Sequence, residues 1–373
     1  MNALFIGPYR QTDGWGMASQ DYIKAIATKI PNITARPIFF INRTSEPDQQ
    51  IIEYENSIYS SYDIIFQKTL PHCIAPIKKG PKNVALFVLE TNNISKSICI
   101  NNLNNIDEIC VPSKQEELCL KKSGVKTKVK VVSEPININT YANNRNYKLS
   151  IPGLPEKAFK FYCIGEYVER KNFSDLVVAF HLAFKDTDNV VLVIKSGVPG
   201  ASPSQSVSMI KEDIAEIKKK MNIKQYYKKE FIISDRLSDI DIIGLHNTCD
   251  CLVMPSYGEA FCRPAAEGLI LGKTPIVTDH TGMADFIDNN NGFLINSHKQ
   301  PVMLKQRTLS NDFDIYNAYE YWYRPNIYSL IENMQKIYTM YKNDRKTYEA
   351  KREIGISSID QFSYETIGKK ICD

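Results

Sequence analysis

The sequence lacks any apolar run approaching the roughly 18 residues of a membrane-spanning helix. It lacks a secretory leader as well: the apolar Ala3-Leu4-Phe5-Ile6 stops at Gly7-Pro8, so a cytoplasmic location is the expectation. Its nine cysteines have no regular spacing. They are expected as buried or free thiols of a reducing compartment, not as a disulfide framework. No cluster of His, Cys and Asp has metal-ligand spacing, since Cys249-x-Cys251 runs into an apolar strand. Neither an essential metal nor a resident cofactor is expected. Charge of one sign is scarce too: 46 Lys+Arg against 42 Asp+Glu leave a net +4, far too little to declare a nucleic-acid-binding protein. Internal repeats are absent, as are low-complexity tracts beyond scattered Asn-rich stretches.

What is present suits a globular α/β chain. At 373 residues the sequence is too long for one ordinary core and fits two domains. Hydrophobic residues at 43% and charged residues at 24% exclude wholesale disorder. Short β-rich apolar runs recur throughout: Ala3–Ile6, Tyr62–Phe66, Val84–Leu89, Ile109–Val111 and Val129–Val132, then Phe159–Ile164, Val190–Ile194, Phe231–Ile233, Cys251–Met254 and Pro275–Val277. Helical patterns lie between several of them, such as Ala18, Tyr22, Ile26 and Ile30 at spacing four. Such alternation predicts parallel sheets covered on both faces by helices. Ser150-Ile151-Pro152-Gly153-Leu154-Pro155-Glu156 reads as a hinge. The expectation is therefore two doubly wound, Rossmann-like domains, 1–150 and 151–355, with a ligand in the cleft between their strand C-termini.

One stretch concentrates chemistry. Pro255-Ser256-Tyr257-Gly258-Glu259-Ala260-Phe261-Cys262-Arg263-Pro264-Ala265-Ala266-Glu267-Gly268 directly follows the apolar Cys251–Met254. Pro264 suits a first helical turn, and Gly272 ends the helix. A strand, a Gly-containing loop and a helix start together favour an anion. Glu259 and Glu267 frame the loop. Eight helical residues rise about 12 Å, whereas glycosidase carboxylates stand roughly 5–9.5 Å apart. Two readings stay open: two hydroxyl-binding carboxylates on one extended ligand, or a dipole-favoured Glu and a solvated helix Glu. Arg170-Lys171, read without further context, is a solvated helix-start pair.

Glu-x7-Glu in this setting resembles the retaining glycosyltransferases of family 4, which have the two-domain GT-B fold. Other segments agree in order. Ile164-Gly165-Glu166-Tyr167-Val168-Glu169-Arg170-Lys171-Asn172 is similar to the motif that opens that family's donor domain. Leu237-Ser238-Asp239 and Cys249–Ser256 resemble the lead-in to the Glu-x7-Glu loop, and Thr281–Phe286 with Asn291–Ile295 resemble the segments downstream of it. Leu89-Glu90-Thr91, Ile106–Ser113 and Ser123-Gly124-Val125 look like one subgroup's acceptor domain. Trp322-Tyr323-Arg324-Pro325 and Gln361-Phe362-Ser363-Tyr364 look like its tail, with 356–373 expected to pack back on the first domain.

The resemblance implies roles. Arg170 and Lys171 would neutralise the leaving diphosphate of a nucleotide-sugar co-substrate. Glu267 would bind ribose hydroxyls and Glu259 hydroxyls of the donor sugar, each carboxylate accepting hydroxyl protons. Gly258, Ala260, Phe261 and Leu237 would line the donor, as would Gly14, Trp15 and Gly16 of the loop Gly7–Ser19. Asp13, His72, Glu90 and Thr91 are the acceptor-side candidates; His72 also reads as an ordinary turn histidine after Pro71. Two departures stand out. Glu166 occupies the place where the family often has Arg, and Leu89-Glu90-Thr91 holds no histidine.

Other patterns carry less. Gly14-x-Gly16-x-x-Ser19 imitates a dinucleotide fingerprint but lacks its third glycine, and Phe39-Phe40-Ile41-Asn42-Arg43 stands where an acidic strand end belongs. Asp239-x-Asp241 and Asp312-x-Asp314 imitate a metal-binding Asp-x-Asp, although acidic residues also favour helix starts. Residues 1–150 hold 18 Lys+Arg against 13 Asp+Glu, an excess of +5, the charge of Lys121, Lys122, Lys126, Lys128 and Lys130. The segment Lys121–Lys130 reads either as a solvated basic loop and strand edge or as a face that steers an anionic partner, including a peripheral contact with an anionic membrane surface. Expected partners are a nucleotide-sugar donor and an anionic glycan or lipid-linked saccharide acceptor. Hydroxymethylated bases of viral DNA are an alternative acceptor, and a catalytically silent nucleotide-sugar-binding protein is an alternative to an enzyme.

Overall fold

The computed structural model describes residues 1–40, 44–77, 80–94, 97–223, 228–280, 282–302, 316 and 319–373. The chain divides into two compact units, Met1–Ile138 with Asp360–Asp373, and Asn139–Ile359. Each is built on a six-stranded parallel sheet.

In the first unit the strands are β1 (Asn2–Gly7), β2 (Asn32–Pro37), β3 (Ile64–Lys68), β4 (Lys82–Leu86), β5 (Glu108–Val111) and β6 (Val129–Val131), in the order β2-β1-β3-β4-β5-β6. Helices cover both faces, so the inner strands are buried on both sides: in β3 the apolar Ile64, Ile65 and Phe66 are buried, and so are Gln67 and Lys68. β2 escapes an apolar-run search because Asn-Ile-Thr-Ala-Arg-Pro is an edge strand, and Pro37 at its end needs no ladder N–H. The order reverses between β1 and β3. The loops after these two strands therefore meet at a topological switch point, where open α/β sheets hold their ligands.

The C-terminal segment belongs to this unit. Ile136 N donates to Phe362 O at 2.9 Å, and the Tyr364 hydroxyl donates to Asp21. Helix Tyr364–Cys372 lies on helix Gly14–Ala27 so closely that a Cβ on Gly368 would stand 2.1 Å from Ala25 O.

The second unit contains β7 (Phe159–Ile164), β8 (Val190–Lys195), β9 (Glu230–Ile233), β10 (Cys251–Met254), β11 (Ile276–Thr278) and β12 (Phe293–Ile295), ordered β12-β11-β10-β7-β8-β9. Its switch point falls between β7 and β10. An antiparallel hairpin, β13 (Ser297–Pro301) with β14 (Tyr321–Pro325), is added after the sheet. The Ser150–Glu156 stretch lies inside this unit. Residues before it are already fastened to helix Asp239–Thr248: Leu149 N donates to Gly244 O, and Asn247 Nδ2 donates to Asn144 O and Tyr147 O.

Candidate functional site

The switch point of the second unit brings together the two loops that the sequence singles out. After β7 the chain makes a short 3-10 turn, Glu169–Lys171, and then Asn172 takes a left-handed conformation, φ 56° and ψ 45°, to enter helix Phe173–Ala183. Asn is among the few residues that adopt this geometry readily. The Asn172 side chain donates to Pro255 O at 3.1 Å. Tyr257 N donates to Arg170 O at 2.8 Å, and the Arg170 guanidinium donates to Gly258 O at 2.6 Å. Three hydrogen bonds thus stitch the loop after β7 to the loop after β10.

Glu259 sits at the junction. Its Oε1 lies 2.5 Å from Lys171 Nζ and 3.1 Å from Arg170 Nη1, and the residue is 8% exposed. Burial alone would push the Glu259 carboxyl up. The Lys171 ammonium and Arg170 guanidinium reverse this and hold it below the usual carboxylate range, so Glu259 is ionised and can only accept hydrogen bonds. Two cations around one carboxylate leave the trio with one positive charge. That surplus suits an anionic ligand.

The loop's path is fixed from behind. Gly282 N donates to Glu259 O at 2.8 Å, and a Cβ on Gly282 would stand 1.8 Å from Ala260 O. Hairpin strand β14 adds a second brace, with Tyr323 N donating to Tyr257 O at 2.9 Å. Gly258, Ala260 and Phe261 are buried in this loop. Cys262 then enters helix Arg263–Ile270 at φ 71°, a conformation costly for a residue with a Cβ, and Pro264 occupies the first turn.

Glu267, in the same helix, is 3% exposed and accepts from Tyr141 Oη at 2.6 Å and from Arg263 Nε at 2.9 Å. His246 Nε2 lies 3.4 Å from its second oxygen. Burial would raise this carboxyl as well; His246, Arg263 and Tyr141 together pull it down to about 2. A carboxylate depressed in the folded state stabilises the fold above its unfolded pKa and loses that contribution as pH falls through the folded value. The depression from 4.5 to about 2 corresponds to about 3 kcal/mol. Acid unfolding of Glu267→Gln, followed by fluorescence, is expected to show a flatter pH dependence than the parent between about pH 4.5 and pH 2. Equal slopes in that window would exclude this contribution.

Arg263 is legible in the sequence as an i, i+4 partner of Glu267. Tyr141 and His246 are not, because nothing in linear spacing marks them. Leu237, half-buried, precedes helix Asp239–Thr248. Asp241 forms a capping box with Ser238 there, so the Asp239-x-Asp241 pair opens a helix. Among the described residues no group of three or more His, Cys, Asp or Glu is placed to hold a metal ion. Asp312, Asp314, Thr281 and the Ile41–Arg43 strand end lie outside the described residues.

In the first unit the loop after β1 carries its residues on a rigid frame. Asp13 accepts from Gly16 N at 3.0 Å and caps helix Gly14–Ala27. A Cβ on Gly16 would stand 1.9 Å from Gln11 O, so only glycine fits there. Trp15 packs edge-on to Phe40 at 5.4 Å and lies 4.9 Å from the ammonium of Lys68, a lysine only 2% exposed. Gly14 is exposed. His72 sits in the turn Pro71–Cys73 that follows β3. Thr91 is buried, its hydroxyl donating to Asn93 O at 3.1 Å, and Glu90 beside it is half-buried. Leu89 N, just before them, donates to the buried Glu116 carboxyl, whose other oxygen accepts from Ser113 N at 3.1 Å. The basic segment is partly neutralised within its own unit. Lys121 pairs with Glu117, while Lys128 and Lys130 join Lys82 around the buried Glu108.

Residues 145–309 match the family model of glycosyl transferases group 1, a span that contains Arg170, Lys171, Glu259 and Glu267. No curated protein matches the chain at the level of sequence. Among solved structures, HepE of Anabaena in complex with UDP and glucose is 13% identical with a TM-score of 0.64, over 100% of this chain and 98% of that one. Sucrose-phosphate synthase from Thermosynechococcus elongatus is 14% identical with a TM-score of 0.65, over 100% and 97%. A point mutant of S. aureus TarM, in complex with fondaparinux, α-GlcNAc-glycerol and UDP, is 16% identical with a TM-score of 0.56. That likeness covers 83% of this chain but spans only 54% of TarM. At such identities the likenesses show the fold, which is GT-B, with two parallel-sheet Rossmann-like units.

Proposed function

We propose that the chain is a glycosyltransferase that moves a sugar from a nucleotide-sugar donor, UDP- or GDP-linked, to a hydroxyl acceptor with retention of anomeric configuration. The family match over residues 145–309 and the GT-B fold support a glycosyltransferase. The observation that carries the site assignment is the trio Arg170, Lys171 and Glu259 at the β7–β10 switch point. Arg170 and Lys171 take the diphosphate and neutralise the charge that grows on it as the glycosidic bond breaks. These two cations supply the charge that a metal ion supplies elsewhere, and no metal enters this reading. Glu259, ionised, accepts from donor-sugar hydroxyls. Glu267 accepts from the ribose. Neither carboxylate acts as a covalent nucleophile here. The acceptor hydroxyl attacks from the side of the departing phosphate, whose oxygen takes the acceptor proton.

The UDP complexes of HepE and TarM favour a uridine donor. The acceptor is an anionic glycan or lipid-linked saccharide. Lys122 and Lys126, both exposed, are the lysines of the basic segment that remain to meet it. All nine cysteines are free thiols, which fits a reducing, cytoplasmic setting. No helix among the described residues is long and apolar enough to cross a membrane.

Proton NMR of the reaction with UDP- and GDP-sugars tests the proposal. Nucleoside diphosphate release is expected to require both donor and acceptor, and the product's anomeric proton is expected to keep the donor's configuration. An inverted product contradicts retention. Absence of turnover with every donor moves the chain to the binding-protein reading. Steep loss of activity with added salt, at constant donor affinity, moves the acceptor to DNA.

A further inference from the structure

We infer that His246, held by Tyr162, is a positioning residue that orients Glu267 toward the ribose of the donor. The inference rests on the proposed role of Glu267 and adds residues to it.

Each carboxylate oxygen has two lone pairs. On Glu267, Oε1 already receives the Tyr141 hydroxyl at 2.6 Å and Arg263 Nε at 2.9 Å. Acceptance of a ligand hydroxyl therefore falls to Oε2. The side chain that faces Oε2 is His246, at 3.4 Å. His246 is fully buried in helix Asp239–Thr248, and its Nε2, with no hydrogen bond of its own among the described residues, stands nearest that oxygen. Its Nδ1 lies 2.7 Å from the hydroxyl of Tyr162, a fully buried residue of β7.

The proton positions follow from the chemistry. Glu267 is a carboxylate and can only accept, so the imidazole proton belongs on Nε2. Nδ1 is then the acceptor, and the Tyr162 phenol donates to it. Burial raises the Tyr162 phenol well above its ordinary value, which keeps that donor protonated. A one-way chain, Tyr162 to His246 to Glu267, thus runs from the centre of the sheet to the site helix, the first step a 2.7 Å hydrogen bond that polarises the imidazole and the second a 3.4 Å ion-pair contact. The 3.4 Å separation is long for a hydrogen bond, and such contacts tighten when ligand draws on the same oxygen.

The test compares dissociation constants for UDP and 2′,3′-dideoxy-UDP, by calorimetry, in the parent chain and in His246→Phe, His246→Gln and Tyr162→Phe. The parent is expected to prefer UDP by about ten-fold or more, the size of a hydrogen bond to a charged group. His246→Phe is expected to erase this preference by weakening UDP alone. His246→Gln, which returns an N–H close to the position of Nε2, is expected to retain most of it. Equal weakening of both nucleotides, or an undiminished preference, overturns the inference. Should His246→Phe fail to fold, Tyr162→Phe decides: a partial loss of preference supports the chain and an unchanged one refutes it. A parent that does not distinguish the two nucleotides refutes the ribose role of Glu267 itself, and the inference falls with it.

Discussion

Lys171→Ala is expected to leave the second unit folded while lowering kcat by about 10²–10³-fold, the usual loss when one preorganised charge-stabilising group is removed. The fold should survive because Glu259 keeps Arg170 at 3.1 Å, so the buried carboxylate is not left without a cation. Arg170 also remains tied to Gly258 O, and the two loops stay stitched through Asn172 and Tyr257. What disappears is one of the two positive charges that, on the proposed assignment, face the diphosphate. Burial raises the Glu259 carboxyl, and Lys171 is the largest influence opposing it. Without that ammonium the carboxyl moves up, so the acidic limb of the pH–rate profile shifts to higher pH. Lys171→Arg keeps the charge and should leave the limb near its original position. Steady-state kinetics from acidic to neutral pH read both effects. A Lys171→Ala enzyme with unchanged kcat and an unmoved acidic limb would remove this residue from the site.

Gly282→Ala is expected to destabilise the second unit by about 3 kcal/mol, combining overpacking with a lost backbone hydrogen bond. The added Cβ would stand 1.8 Å from Ala260 O, 2.4 Å from Ala260 C and 3.1 Å from Glu259 O. All three are backbone atoms, which cannot rotate aside as a flexible side chain would. Relief requires the Glu259–Ala260 strip to move, and with it the Gly282 N bond to Glu259 O. In a unit of this size the loss corresponds to a fall of about 6–12 °C in the unfolding midpoint. Activity should fall further than stability, because the displaced strip carries Glu259. Gly197→Ala is the control: a Cβ there meets nothing within 4 Å, and its midpoint should stay within about 1 °C of the parent. Calorimetry that finds both alanine variants unfolding with the parent would mean that Gly282 does not fix the loop.

Much of the fold and part of the site are readable in linear order. Strands such as Phe159–Ile164 and Cys251–Met254 announce themselves because helices on both faces of a parallel sheet leave them no polar side. Residues placed just past such strands, Arg170, Lys171 and Glu259, then come together through strand order, since loops flanking a reversal must meet. The strands that escape a sequence reading are those with little burial to write into their residues. β2 is a polar edge, β12 has three residues, and β13 is Ser-His-Lys-Gln-Pro, largely exposed. Partners set by three-dimensional packing are invisible for a different reason. Tyr141 reaches Glu267 across 126 positions, and Tyr162 reaches His246 across 84. The basic stretch looks more available in sequence than it is, because Glu108 on β5 collects Lys128 and Lys130 from the neighbouring strand and its approach.

Thermal unfolding of the purified chain with UDP, GDP, ADP, CMP and NADP, each alone at millimolar concentration, shows whether the chain carries a nucleoside-diphosphate site. A ligand at 100 times its dissociation constant adds about 2.7 kcal/mol, enough to raise the midpoint by several degrees. One nucleoside diphosphate is expected to stabilise the chain, and Lys171→Ala is expected to abolish the shift. Stabilisation by NADP alone, or by none of the five, would contradict the proposed site.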